Sequence, residues 1–359
     1  MFDLDERYRG CLAHLRFREE DSLGRRPKKL GQPRRPAGKY CFIKDVPVVG
    51  NCETLFRLHG TTQVFIGREE ATTNDRLLHT MEVASLAKYI AWFVGLNENL
   101  EEAIALGHDT GHSPFGHFGE ETISKLCGKL IDHRTIACLI LQHVEHEGKG
   151  LDLTYETLLG IYHHSGTFPE MYDQLPPEIS LVNKVDKIYM FSDIEDGLLI
   201  GAGFEEADQE AMYFGRTKRE RIDNFANALI KESASVGTIS FSQSEEAQRF
   251  WALRDWMYKN AYLPLNACRQ PFANELERCY HFLQSSPDFE ECDPAILLIL
   301  MNDNEVHRLF NALRNKPKAQ LKRNTLEYLN LSITRIYPFI KGWSYDLEDP
   351  DLDWGKTTT

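Results

Sequence analysis

The stretch Ala105-Leu106-Gly107-His108-Asp109-Thr110-Gly111-His112-Ser113-Pro114-Phe115-Gly116-His117-Phe118-Gly119-Glu120 decides how this 359-residue chain is read. The apolar residues before His108 fit a helix over about 98–107, so an imidazole and a carboxylate lie side by side where that helix ends. Ligands of different hardness in that position suit a borderline divalent metal. The Gly and Pro residues that follow demand a tight turn. A second helix, about 115–129, then carries His117 and Glu120 three positions apart on one face, where the carboxylate can orient and polarise the imidazole.

Working outward, Arg76 and His79 share a helical face by the same spacing, and Asp186 sits in an apolar helix starting near Ser180, where a buried carboxylate needs a partner. Ten of the thirteen histidines fall between His59 and His164, a crowding that calls for a local cause. Imidazoles bind transition metals, donate protons near neutral pH and contact phosphate oxygens, so a metal-assisted phosphoryl site is expected here. His143 and His146 flank a glutamate and read as solvated helix-end groups. His164, before Ser165-Gly166, reads either as structural or as aimed at phosphate. Tyr189, Tyr213 and Phe214 read as core packing.

Apolar residues at helical spacing recur along the chain, and strand-like alternation is confined to short pieces such as Thr62 to Ile66, so the fold class expected is all-α. A helix capped by Thr73 or Asn74 is followed by others near 134–145, 154–164, 179–201, 205–233, 244–261, 270–284, 294–314 and 319–340. The expected organisation is a basic N-terminal arm (1–39), a catalytic core (40–204), a C-terminal helical region (205–345) and an acidic tail (346–359). In the arm, Arg25, Arg26, Lys28, Lys29, Arg34, Arg35 and Lys39 occur with no acid among them, which fits a solvated arm or one that docks a polyanion. A formal charge of −13 argues against general coating of nucleic acid. The eight scattered cysteines show no C-x-x-C pair, and neither a membrane span nor a signal peptide is evident, so a cytoplasmic protein with reduced thiols and no membrane association is expected.

The string H-D-T-G-H-S-P-F-G-H-F-G-E resembles the HD-domain superfamily and, within it, the deoxynucleoside triphosphate triphosphohydrolases, which include the bacterial dGTPases. Arg57-Leu-His-Gly-Thr-Thr-Gln63, Arg76-Leu-Leu-His79 and Ser192-Asp193-Ile-Glu-Asp196-Gly agree with it. The resemblance covers about residues 40–200 and implies an HD-domain helical bundle with additional C-terminal helices. It implies metal ligands His79, His108, Asp109 and Asp186, binding Mn, Mg, Fe, Co or Ni. It implies that His117 and Glu120 form the catalytic pair, with His112 and His133 near the α-phosphate. Gln63 resembles the reader of the 3′-hydroxyl and Arg76 a triphosphate ligand; His164, Tyr189 and Asp193 are further substrate-facing candidates. The implied activity releases a deoxynucleoside and triphosphate from a dNTP, dGTP favoured. Relatives assemble as tetramers or hexamers, and some respond to nucleotide or single-stranded DNA, so a homo-oligomer with such an effector is the implied partner set.

The chain also departs from that pattern. Met190 stands four residues after Asp186 where relatives carry tyrosine, and Tyr189 lies one earlier, a shift that rotates a continuous helix by about 100°. Val48, Val49 and Phe56 dilute the basic run before Gln63, and the C-terminal segment that closes over substrate is not recognisable. The rival readings are another HD phosphohydrolase, such as a nucleotidase or phosphodiesterase, and a non-catalytic nucleotide-sensing oligomer.

Overall fold

Asn97 accepts hydrogen bonds from the backbone N–H groups of Asn99 and Leu100 and so starts the helix that delivers the His-Asp pair. The computed structural model of the chain describes residues 4–29, 32–66, 74–166, 175–265, 269–315 and 323–354. Its helices in order are α1 Cys41–Gly50, α2 Glu53–Arg57, α3 Arg76–Val94, α4 Glu98–Gly107, α5 Gly116–Cys127, α6 His133–His143, α7 Glu145–Gly148, α8 Tyr155–His163, α9 Pro177–Ile188, α10 Met190–Leu199, α11 Glu205–Ala211, α12 Lys218–Val236 and α13 Glu245–Met257. The C-terminal set follows as α14 Gln270–Ser285, α15 Pro294–Ile299, α16 Asp303–Asn315, α17 Arg323–Tyr328 and α18 Ser332–Ile340. The fold is all-α. Among the described residues β-pairing is limited to isolated bridges, one of them between Thr62 and Asp75.

Helix α4 packs between α1 and α3 and against α8 and α9. Its Leu100, Ala103, Ile104, Ala105 and Leu106 are all buried. Removing that apolar surface from water anchors the C-terminal end of α4, and with it His108, at the centre of the molecule. The buried apolar residues form two clusters. One gathers α1, α3, α4 and α8 to α13; the other joins Phe115, Ile123, Ile136, Leu139 and Ile140 to α14, α15, α16 and α18. Helix α6 serves both, with Ala137, Cys138 and Leu141 on the first and Ile136, Leu139 and Ile140 on the second, so it is buried on every side. The histidine-bearing turn between α4 and α5 lies at this seam. The boundary expected at 204/205 falls inside the first cluster, which runs on through Ala261.

Four long helices expected from periodicity are each broken in two, the 319–340 segment between Tyr328 and Ser332. The 179–201 segment divides at Tyr189, which leaves the helical region (ψ 0°) and donates its hydroxyl to the Glu82 carbonyl of α3 at 2.7 Å. The 205–233 segment divides before Lys218, and 294–314 divides where the Asn302 side chain accepts from the Glu305 N–H. The cap of α3 is Asp75, which accepts from the Leu78 N–H; Asn74 lies one position earlier, and Thr73 falls outside the described residues.

Four arginines of the basic stretch are held against the rest of the chain, whereas Lys28, Lys29 and Lys39 are exposed. Arg25 pairs with buried Asp45 at 2.9 Å, Arg35 with Asp152, and Arg26 with Asp351 at 2.8 Å, while Arg34 donates to the Trp354 carbonyl. The acidic end is likewise packed through Leu347, Leu352 and Trp354. His143 is buried between these segments, 2.9 Å from both Arg26 Nη1 and Asp351 Oδ2 and stacked on Tyr345, rather than solvated. Among the described residues no helix is long and apolar enough to cross a membrane.

Candidate active site

The turn after His108 is shaped by close backbone approach. A Cβ on Gly111 would lie 1.9 Å from the His133 carbonyl oxygen and 2.3 Å from the Ala137 nitrogen, both backbone atoms of α6. Gly111→Ala is therefore expected to cost at least about 3 kcal/mol, the upper end for overpacking, because backbone cannot step aside as a side chain does. Urea denaturation checks this, and an unshifted midpoint would mean that the turn does not seat on α6. Across the same seam, Arg57 donates to the carbonyls of Thr110 at 2.8 Å and Met301 at 3.0 Å, and burial lowers its guanidinium to about 10.

His108 donates Nδ1–H to the Ala105 carbonyl at 2.7 Å, which fixes the tautomer and turns the Nε2 lone pair inward. That Nε2 is buried and has no hydrogen-bond partner. It lies 3.3 Å from Asp109 Oδ1 and 3.7 Å from Asp186 Oδ1, and His79 Nε2 lies 3.2 Å from Asp186 Oδ1 and 3.8 Å from Asp109 Oδ2. Donors bound to one ion at about 2.0–2.2 Å stand roughly 3.0–3.5 Å apart, a spacing that two of these four distances meet; the donor atoms of His79, His108 and Asp109 lie close enough together to hold a divalent cation, and the orphaned lone pair fits one. Burial would push both carboxyls up. For Asp109 it is outweighed by His108, Arg76 and His112, and for Asp186 by Lys187 and the two imidazoles, so both are held well below the carboxylate range.

A second cluster adjoins the first. Glu120 Oε1 contacts His112 Nδ1, and Glu120 Oε2 lies 3.2 Å from His117 Nδ1 and 3.3 Å from His133 Nδ1. His133 Nε2 continues to His164 Nε2 at 3.3 Å, and His164 donates its Nδ1–H to the Ile161 carbonyl. Burial, Arg76 and His133 depress His112 to about 4. Desolvation would also lower His117, but Glu120 prevails and raises it, and the ring is 72% exposed at the mouth of the cluster. Three of the four residues expected to do chemistry, His112, His117 and His133, thus share the carboxylate of the fourth, Glu120.

The remaining expected residues adjoin these clusters, and Arg76 and Tyr189 among them are buried. Arg76 is fully engaged inside the protein, with Nη1 on Asp109 Oδ2 at 2.8 Å, Nη2 on the Gln63 carbonyl at 3.2 Å and Nε on the Thr62 carbonyl at 3.3 Å. The Gln63 side chain has its Oε1 buried and unpartnered. Tyr189 sets its ring edge against His79, with 5.7 Å between ring centroids. Asp193 accepts from the Tyr262 hydroxyl at 2.7 Å, and burial raises it to about 6. Tyr262 was invisible to sequence reasoning, since its link to Asp193 spans 69 residues. The α9–α10 break at Tyr189 also accommodates the displaced tyrosine, because Asp186 and Asp193 need not share one continuous helix face.

Residues 76–190 match the HD domain family, a span that begins at Arg76 and contains His79, His108, Asp109 and Asp186. A deoxyguanosinetriphosphate triphosphohydrolase-like protein of Clostridium tetani is 35% identical over 254 residues, covering 68% of this chain and 72% of its own length. Proteins of the same description from Caldanaerobacter subterraneus and Geobacter metallireducens are 34% and 35% identical, covering 69% and 65% of this chain and 73% and 63% of theirs. Similarity of that extent, reaching well past the HD segment, makes this chain a member of the HD-domain deoxyguanosinetriphosphate triphosphohydrolase-like family of hydrolases.

Proposed function

We propose that the protein is a metal-dependent dNTP triphosphohydrolase, acting preferentially on dGTP, that releases a deoxynucleoside and inorganic triphosphate. The observation that carries this reading is the divergence of two imidazoles joined to one carboxylate: His112 is depressed and His117 raised, with Glu120 between them. Groups driven apart in this way serve as a neutral contact and as a proton donor. Glu120 takes His117 Nδ1, which leaves Nε2 to donate. Water attacks the α-phosphorus, the bond from phosphorus to the 5′-oxygen breaks, and His117 protonates that oxygen as it leaves; without the proton an alkoxide is a poor leaving group.

A divalent cation held by His79, His108, Asp109 and Asp186, with Mn, Mg, Fe, Co and Ni all acceptable to such donors, would supply Lewis acidity toward phosphate oxygens and a more acidic water. His112 and His133 face the α-phosphate, and Gln63 reads the sugar hydroxyl. Arg76 keeps Asp109 and the Gln63 segment in register from within the protein and counters triphosphate charge at short range. His164, Tyr189 and Asp193 complete the contacts to substrate.

The test is to incubate metal-loaded protein with each dNTP separately and resolve the products by anion exchange. Deoxynucleoside with triphosphate, fastest from dGTP, is the expected result. Monophosphate or free phosphate would move the assignment to a nucleotidase or phosphodiesterase, and binding without turnover to a nucleotide sensor.

A further inference from the structure

Asp303 opens α16, in the C-terminal region and far outside the matched HD segment, yet its buried carboxylate turns away from its own helix. Oδ2 accepts from the Thr62 N–H at 3.0 Å and from the Thr62 hydroxyl at 2.5 Å, and Oδ1 accepts from the Phe115 N–H at 2.7 Å. The Asp303 N–H donates to the Gly60 carbonyl at 3.2 Å, so the contact with the Gly60–Thr62 segment is made twice.

Both partners matter to the site. Phe115 is the residue from which α5 starts, and it holds a left-handed backbone, φ 64° and ψ 19°. A non-glycine residue there is strained and persists only where its surroundings over-determine it. Here the Asp303 acceptor fixes its N–H, while its buried ring is packed against Phe272 and His307, centroids 5.2 and 5.4 Å away. Two residues later comes His117. Thr62, on the other oxygen, precedes Gln63, and the carbonyls of the two accept from Arg76, the partner of Asp109. One side chain therefore spans the start of the proton-donor helix and the segment that carries Gln63.

We propose that Asp303 is a positioning residue for the phosphohydrolase reaction, its two carboxylate oxygens setting the start of α5, and so the His117–Glu120 pair, against the Thr62–Gln63 segment. The role rests on the function proposed above, and it is specific to a carboxylate. All three groups facing it are donors, so an amide of the same shape would turn an N–H toward one of them and lose that contact.

The experiment compares Asp303→Asn with wild type in kcat and KM for dGTP, in metal content and in amide hydrogen exchange over residues 60–66 and 110–120. A misplacement of about 1 Å costs up to roughly 10²-fold, so kcat is expected to fall about 10- to 100-fold. KM and metal content should stay within about twofold, because the side chains of the ligand set do not depend on the bonds removed, and exchange at Thr62 and Phe115 should accelerate at least about tenfold. Thr62→Val, which removes one of the three donors and keeps the carboxylate, should lower kcat in the same direction by less, and it serves if the first variant does not purify. Wild-type kcat in either variant overturns the assignment. So does a loss of kcat that comes with loss of metal or without faster exchange at Phe115. Should wild type release no triphosphate at all, the functional reading fails, while the exchange data still decide whether Asp303 holds the two segments.

Discussion

Asp186→Ala protein, purified and dialysed beside wild type, is expected to retain almost no divalent metal by elemental analysis. Asp186 Oδ1 stands 3.2 Å from His79 Nε2 and 3.7 Å from His108 Nε2, and Lys187 Nζ stands 3.2 Å from the other oxygen. Removing the carboxylate takes away one donor and leaves a nearly buried ammonium beside two imidazoles, a field that opposes a dication. Loss of an outer partner alone typically costs about 10–100-fold in metal affinity, so losing a ligand and its charge together should exceed that. Turnover should fall further than the roughly 10²–10³ that removal of one electrostatic contact costs. Asp186→Asn separates the two effects: it keeps an oxygen and the side-chain shape but not the charge, and should hold metal more weakly than wild type and better than Asp186→Ala. A wild-type metal load in Asp186→Ala would show that the fourth ligand lies elsewhere.

What made this site legible in the sequence is that much of it is local. The apolar run of α4, the His108–Asp109 pair and the His117–Glu120 spacing sit within the 21 residues from Leu100 to Glu120, and helical periodicity alone puts each on its face. The four-ligand set needed the family resemblance, since nothing in the spacing ties His79 to Asp186. What stayed hidden is set by contacts between distant segments. The break at Tyr189 looks like continuous apolar helix in sequence; its hydroxyl is held by the Glu82 carbonyl, 107 residues away. His143 has the polar neighbours of a solvated helix end, and only Arg26, 117 residues before it, and Asp351, 208 after it, account for its burial. The arginines of the basic stretch looked free for the same reason, since Asp152 and Asp351 lie far from it in sequence. Local patterns report side-chain chemistry and helix faces, whereas pairing across the two apolar clusters is a property of the packed chain.

His117→Ala should bind metal and dGTP as wild type does and turn over about 10²–10⁴-fold more slowly, the range for loss of a general acid. The ring touches Glu120 and the faces of its neighbouring imidazoles but none of the four presumptive ligands, and it is largely exposed, so its removal leaves no cavity in either apolar cluster. The pH profile tests the chemistry more sharply than the magnitude. An acid must enter the reaction protonated, so wild-type kcat should decline as pH rises through the His117 pKa, which Glu120 holds above the ordinary histidine value. Glu120→Gln removes the negative charge that favours imidazolium, so the His117 pKa drops and the alkaline decline should begin at lower pH. The same substitution withdraws the acceptor shared by His112 and His133, and kcat should fall at every pH as well. If the alkaline limb stays where it is in Glu120→Gln, or survives unchanged in His117→Ala, the proton reaching the sugar oxygen comes from another group. The chain of imidazoles from His112 through His133 to His164 would then be the place to look for it.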